Sequence, residues 1–509
     1  MRENLTRRWF IGGAASFAGL GLAPVRLFAG QATGRLIARF GVVSDIHFAA
    51  VGKADQGLRK SGNDETFVKT MEWFRDQGAD GVIIAGDMAH RGMTYELKAV
   101  ADAWFRVFPD DKTPDGRKVE RLFVTGNHEW EGAGYGDFAK KIYPDEAERA
   151  QYVLRHKLEK TWAELFHEDY TPIYLKTVKG IPFVGAHWHP AEPRGHSGPE
   201  FPGLAEFLSA NRGKFDPKRP LLYAQHPHPK DTCYGPWAWG HDNGFSTKAL
   251  SAYSNAIAFS GHSHYSIVDE RSIWQGAFVS VGTASLRYSG VTFDSFPSGS
   301  RAFENSASVL PGSKRKVIDG GKMMREIPSQ DGRQGMLVSV YEDCVVFARR
   351  NFADGFEGSL GEDWVLPLPN AEAKPFAHLK RTKEEVAPQF AAGDAIKVAK
   401  GKAKNRKGEK KDAFTLTFPN VAAPNRAFSY AVDARAADGK IIMHKDVLAC
   451  DFNVPLGKRT TSTCVFAADE LGGAKKVVFA VMPIASFGAK GRELTVEQNI
   501  SRDKNRLRS

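Results

Sequence analysis

From about residue 35 onward, short apolar runs alternate with segments whose apolar residues recur every three to four positions. The runs fall at Ile37–Val43, Gly81–Ala85, Leu122–Val124, Ile181–Val184, Leu221–Ala224 and Ala256–Phe259. Their length and apolar continuity predict buried strands. Between them, Phe67, Met71 and Phe74 share one helical face. So do Leu97, Val100, Ala101 and Trp104, and likewise Leu154, Leu158, Trp162 and Leu165. Such alternation predicts an α/β layer fold. Two later runs, Gly335–Val340 and Cys344–Arg349, flank Glu342-Asp343 and predict a closing hairpin.

The pattern changes after Pro367-Leu368-Pro369. Residues 370–395 are rich in Ala, Lys and Pro, which predicts a linker. Short alternating segments follow at Ala413–Phe418, Phe428–Val432, Lys440–His444 and Lys476–Val481, with Gly, Pro, Asn and Asp between them. These predict a small all-β sandwich domain over 396–500, behind an α/β domain over 35–369. Lys397 to Lys411 holds eight basic residues and one Glu. It reads as a solvated β-turn or a nucleic-acid patch; no aromatic residue interleaves it, which disfavours a base-stacking platform.

Composition narrows the classes. A chain of 509 residues predicts two or three domains. The hydrophobic fraction of 42% and charged fraction of 25% are those of globular proteins and exclude a disordered or fibrous chain. No stretch approaches the roughly 20 apolar residues of a membrane span, so a polytopic membrane protein is excluded. The net charge of +11 suits anionic substrates, nucleic acid or membrane headgroups alike. Four cysteines exclude a disulfide scaffold. Cys450 and Cys464 flank a turn at Pro455-Leu456-Gly457 and are placed to pair in an oxidising compartment; Cys233 and Cys344 have no evident partner.

Residues 1–30 have a charged start, a weakly apolar Gly- and Ala-rich run, then Pro24 and Ala29. This is the layout of an export signal, with cleavage after Ala29 or Ala32. Thr6-Arg7-Arg8-Trp9-Phe10-Ile11 resembles the twin-arginine (Tat) signal. That resemblance implies export by the Tat translocase to the periplasm or outside the cell, with no membrane span in the mature chain.

Five polar clusters each follow an apolar run. They are Ser44-Asp45-Ile46-His47, Gly86-Asp87, Gly126-Asn127-His128-Glu129, Gln225-His226 and Gly261-His262-Ser263-His264. All therefore sit just past the C-terminal ends of predicted strands, the edge where open α/β sheets bind ligands. Carboxylate, amide and imidazole donors together suit Zn, Mn or Fe. Asp45 and His47, two apart on a strand end, point to one side. Asp87 has two oxygens with which to bridge two cations. Glycines before Asp87, Asn127 and His262 permit sharp turns and close backbone approach.

The ordered set DxH, GD, GNH(D/E), H, GHxH resembles the calcineurin-like metallophosphoesterases over roughly residues 38–290. The resemblance implies an α/β/β/α sandwich of two mixed sheets with helices outside. It implies two divalent metal ions, one held by Asp45, His47, Asp87 and His264, the other by Asp87, Asn127, His226 and His262. A metal-bridging hydroxide would attack the phosphorus of a phosphate mono- or diester, with His128 stabilising the transition state or protonating the leaving group. Arg91 matches the phosphate-binding arginine of GDxxDRG. His90 stands where that pattern has a carboxylate and where purple acid phosphatases have a tyrosine ligand. Glu129 either supplies the missing charge or is an exposed helix-start residue.

Outside these motifs, His187 and His189 after the strand at Ile181–Ala186, and His228 in the aromatic run Pro227–Gly244, are candidate substrate donors. Residues 291–334, rich in Ser, Gly, Lys and Arg, form either a lid or a surface loop. The expected function is an exported binuclear phosphoesterase acting on a small phosphoester. A nuclease and a non-catalytic binding protein on the same fold are the alternatives.

Overall fold

The computed structural model describes residues 34–48, 63–131, 144–155, 157–188, 203–235, 240–287, 333–353, 358–370, 373–404, 409–421, 426–449 and 460–500. The apolar runs at the start of the chain become strands β1 (Leu36–Val43), β2 (Gly81–Ala85) and β3 (Glu120–Val124), parallel and adjacent. The expected hairpin forms as β10 (Gln334–Tyr341) and β11 (Cys344–Asn351). It pairs antiparallel to β1 and carries β12 (Trp364–Pro367) at the edge. The second sheet contains β4 (Ile173–Val178), β5 (Ile181–Ala186), β6 (Leu221–Ala224), β7 (Ala256–Ser260), β8 (Ile273–Gln275) and β9 (Val279–Gly282), ordered β4-β5-β6-β7-β9-β8. Its four central strands β5, β6, β7 and β9 are parallel.

The sheets face one another across a buried cluster. Phe40, Ile83 and Leu122 come from the first, and Phe183, Leu222 and Ile257 from the second. Helices α1 (Asn63–Asp76) and α2 (Thr94–Val107) cover the outer face of the first sheet. Beyond the short α3 (Asn127–Glu131) and α4 (Glu146–Arg155), α5 (Leu158–Phe166) joins them. Met71, Phe74, Val100, Trp104 and Trp162 pack there on Ile84 and Phe123. The face predicted through Leu154 is broken, because Lys157 takes an extended ψ of 134° and separates α4 from α5. On the other side, α6 (Leu204–Ala210) and α7 (Phe245–Leu250) bury Leu204, Leu208 and Leu250 against Val184, Leu221 and Tyr223. The layers are thus α/β/β/α, and every parallel strand ends at the same rim.

The C-terminal region is all-β. Strands β13 (Lys397–Lys404), β14 (Lys410–Pro419) and β17 (Thr461–Ala467) form one antiparallel sheet. Strands β15 (Ser429–Arg435), β16 (Ile441–Leu448), β18 (Lys476–Ile484) and β19 (Leu494–Asn499) form another, ordered β16-β15-β18-β19. Phe414, Leu416 and Phe466 of the first meet Tyr430, Val432 and Phe479 of the second. The basic run is therefore mostly the β13–β14 hairpin, with β13 as an exposed edge strand, rather than a turn alone.

The segment expected as a linker is packed. Phe376 lies in the core shared by the two large sheets. Helix α8 (His378–Glu384) docks through a His378 ring nitrogen, 2.8 Å from the Ile273 carbonyl. Glu385 accepts the amides of Phe487 and Ala489 at 2.8 and 2.9 Å, tying the strap to the sandwich. Among the described residues no helix is long and apolar enough to cross a membrane. Cys233 and Cys344 are buried free thiols. The export signal, His189, Trp237, Trp239, Cys450, residues 291–332 and the tail after Ile500 lie outside the described residues.

Candidate metal centre

The strand ends are stitched together before any ligand is considered. The loop after β1 runs parallel to the loop after β2. Asp45, His47 and Phe48 donate their amides to the carbonyls of Gly86, Asp87 and Met88 at 3.0, 2.9 and 2.7 Å. Across the rim, Gly261 N–H donates to the His226 carbonyl at 2.9 Å, and Trp188 N–H to the Thr125 carbonyl at 3.1 Å. The chain after β9 closes back on β1: Leu286 and Arg287 donate to the carbonyls of Ser44 and Asp45 at 3.0 and 3.2 Å.

These turns are tight. Asp45, His47, Asp87, His262 and His264 all adopt left-handed backbone conformations, with φ between 44° and 68°. Asp and His tolerate that region better than most residues, and strain of this kind persists where the surroundings over-determine it. A side chain at Gly126 would overlap the Asp87 carboxylate, and one at Gly261 the Asp45 carboxylate. Those two glycines are required by close packing beneath the carboxylates, not by φ.

Six of the expected ligands converge in two adjoining groups, Asp45 with His47 and His264, and Asp87 with His226 and His262. Asp45 Oδ1 is 3.0 Å from His264 Nε2 and 3.8 Å from His47 Nε2. Asp87 Oδ2 is 3.0 Å from His226 Nε2 and 3.7 Å from His47 Nε2, so Asp87 joins the groups. His47 Nε2 approaches His264 Nε2 at 3.0 Å, and His262 Nδ1 approaches His226 Nε2 at 3.2 Å. Two buried carboxylates among four imidazoles whose nitrogens face one another form a donor set that fits two cations. Asn127 opens α3 beside them, and the next amide, His128 N–H, donates to Asp87 Oδ1 at 3.0 Å.

The electrostatics agree with that fit. Burial alone would raise Asp45 and Asp87, but the facing histidines outweigh it and hold both well below the usual carboxylate range. Burial would lower His226, yet Asp87 and Asp45 push it up to about 9. Burial and neighbouring His128 press His47 down to about 3. The two carboxylates present standing negative charge, and the His47 ring presents an unprotonated nitrogen.

His128 stands at the edge of the groups with a side chain one-fifth exposed. Its Nδ1 donates to the His90 carbonyl at 2.6 Å, which leaves Nε2 on the site side, 3.9 Å from Asp87 Oδ2. The missing carboxylate partner of His128 is thus replaced by a main-chain oxygen. At Arg91 the amide is capped by Glu96 Oε2 at 2.7 Å. A guanidinium that no motif singles out, Arg287, reaches His90 Nδ1 at 2.8 Å and the His47 carbonyl at 3.0 Å. Glu129 is buried rather than exposed at a helix start.

Two proposed substrate donors are placed elsewhere. His187 accepts the Thr125 amide at 3.1 Å and stacks on Tyr170 at 4.4 Å beside Trp162, inside the domain. Burial lowers its pKa to about 3, as suits a neutral core histidine. His228 spends both ring nitrogens on Ser260 Oγ and Ser263 Oγ, at 2.7 and 2.8 Å, and braces the GHSH turn from behind. His187 is thus buried in the core, and His228 has both ring nitrogens engaged by serines. Trp188, between them in sequence, lies against His226 and His262 with ring centroids 5.9 and 5.7 Å away.

Residues 38–266 match the family model described as calcineurin-like phosphoesterase. No curated protein matches the chain. Among solved structures, a dimetal phosphatase from Danio rerio is similar at 12% identity and TM-score 0.34, over 65% of this chain and 99% of that one. A purple acid phosphatase from yellow lupin (Lupinus luteus) seeds is similar at 14% identity and TM-score 0.34, over 64% and 53%. A putative 5'-nucleotidase from Staphylococcus aureus is similar at 17% identity and TM-score 0.30, over 48% of each chain.

Proposed function

We propose that this chain, whose residues 38–266 match the calcineurin-like phosphoesterase family model, is an exported binuclear-metal hydrolase of small phosphate mono- or diesters. The observation that carries this reading is the junction at Asp87, one carboxylate shared by two Asp–His groups on a single rim. Cations held there would supply activation of water and charge neutralisation at phosphate oxygens. Asp45, His47, Asp87 and His264 would hold one, and Asp87, Asn127, His226 and His262 the other. His128, oriented by its Nδ1 proton on the His90 carbonyl, would carry a proton on Nε2 to the leaving oxygen. Arg91 remains a proposed phosphate contact.

Mn- or Zn-loaded protein is expected to hydrolyse p-nitrophenyl phosphate or its bis ester, to lose activity with chelator and to regain it with metal. Asp87→Ala should abolish both metal retention and turnover. No hydrolysis of either ester by metal-loaded protein would refute the reading. The basic hairpin does not by itself argue for a nucleic-acid substrate, since lysines on an edge strand also prevent edge-to-edge pairing. Export by the Tat translocase to the periplasm or beyond rests on Arg7-Arg8 and its apolar sequel. Replacing both arginines by lysine should retain the protein in the cytoplasmic fraction, and unchanged export would rule that route out.

A further inference from the structure

His90 ends the short bridge that prolongs β2 alongside the loop after β1, its amide donating to the Phe48 carbonyl at 3.1 Å. Its own carbonyl serves His128, so its side chain is released from the role that a carboxylate would have there. The ring lies nearly parallel to His128, 19° apart with centroids at 5.8 Å, and edge-on to His47 at 5.6 Å. One ring nitrogen from each of His47, His90 and His128 falls within 4.8 Å of the others.

Arg287 decides what this ring can do. Its Nη1 lies 2.8 Å from His90 Nδ1. A guanidinium only donates, so Nδ1 accepts, and in the neutral ring the proton sits on Nε2. His90 Nε2 is buried and has no hydrogen-bond partner among the described residues. A buried donor left unspent is unfavourable, so an acceptor is wanted there. With one nitrogen engaged by Arg287 and the other protonated, the ring has no lone pair for a cation. What it offers, beside two metal-holding groups, is an N–H for an oxygen.

We infer that His90 donates its Nε2–H to a non-bridging oxygen of the phosphoryl group bound beside His47 and His128, and that Arg287 is the positioning residue that fixes the His90 tautomer. The inference rests on the phosphoesterase reading and adds to it a further residue that contacts the phosphoryl group.

The test is made on the full chain loaded with Mn. Bound metal is counted by elemental analysis and inorganic phosphate affinity is measured by calorimetry. His90→Phe should keep the wild-type metal content and bind phosphate about tenfold or more weakly. His90→Gln, which restores an N–H, should recover most of that loss. Arg287→Met should weaken phosphate binding with metal retained, and the double variant should be no worse than His90→Phe alone. Loss of metal in His90→Phe would make His90 a ligand and overturn the inference. So would unchanged phosphate affinity in Arg287→Met, or in His90→Phe with its metal in place. If wild-type protein binds metal and phosphate but cleaves no ester, the phosphoesterase reading fails, while the phosphate affinities still decide the role of His90.

Discussion

Glu129 gathers three main-chain donors, the amides of Asp87 at 3.1 Å, Ala89 at 2.8 Å and Gly126 at 2.6 Å. It thereby locks the Gly86-Asp87 turn to the Gly126-Asn127 turn. Burial first, and then the charge of Asp87, push its pKa up to about 7, so those donors are what make its ionised form tolerable. Glu129→Ala leaves three buried N–H groups without an acceptor, each worth about 1–3 kcal/mol before water relieves some of the loss. The expected result is about 3 kcal/mol less unfolding free energy in urea and weaker metal retention, and an unchanged urea midpoint would contradict it. The ligand types were legible in the sequence because metal binding demands side chains that motifs record. Arg287 was hidden because it reaches the rim only through the closure of the chain after β9, in a stretch with no pattern of its own. The partners of His187 and His228 were hidden for the same reason: only tertiary packing says which way a histidine beside a strand end turns.

Strands are the scale at which the second domain was read. Its alternating segments predicted a sandwich, and the strands lie where alternation is clean, as in β14 and β18. β13 escaped notice because Lys-rich alternation resembles a solvated turn, although an edge strand needs only one side sheltered. In the four-stranded sheet of this region, His444 of β16 stands opposite Asp433 of β15. It bonds Asp433 at 2.6 Å and Asp446 at 3.2 Å, while Arg435 links Asp433 to Glu493. The hydrogen bonds to Asp433 and Asp446 raise the pKa of His444 to about 9. A histidine raised on folding adds stability that is complete below its unfolded value near 6.5 and is lost as pH climbs through 9. Thermal unfolding of wild type should therefore fall between pH 7 and about 9.5, with a shallower decline in His444→Gln; parallel profiles would count against this role.

For the whole molecule, Glu270 is the joint. Its carboxylate meets Arg349 of β11 at 2.8 Å, Trp364 of β12 at 2.9 Å and Arg381 of α8. One side chain so connects the second sheet, the first sheet and the strap that leads to the sandwich. Next to it, Arg271 lies over the Phe428 ring at 4.6 Å, a direct contact between the domains. Burial would raise Glu270, but Arg349 and Arg381 hold it at about 2. Glu270→Gln should cost about 2 kcal/mol, less than the ~3–5 kcal/mol of a fully buried pair because a third of the side chain is exposed and screened. Calorimetry of the full chain reads this as a lower melting temperature; an unaltered one would refute it. Composition concealed the joint, since an Ala-, Lys- and Pro-rich stretch looks like a tether until its partners are in place. The five left-handed ligand backbones bear on the molecule's endurance. Each costs on the order of 1 kcal/mol, and glycine would remove that cost. Selection for heat resistance alone would erode this rim toward glycine, yielding a tougher and inert protein, so durability and reactivity here pull in opposite directions.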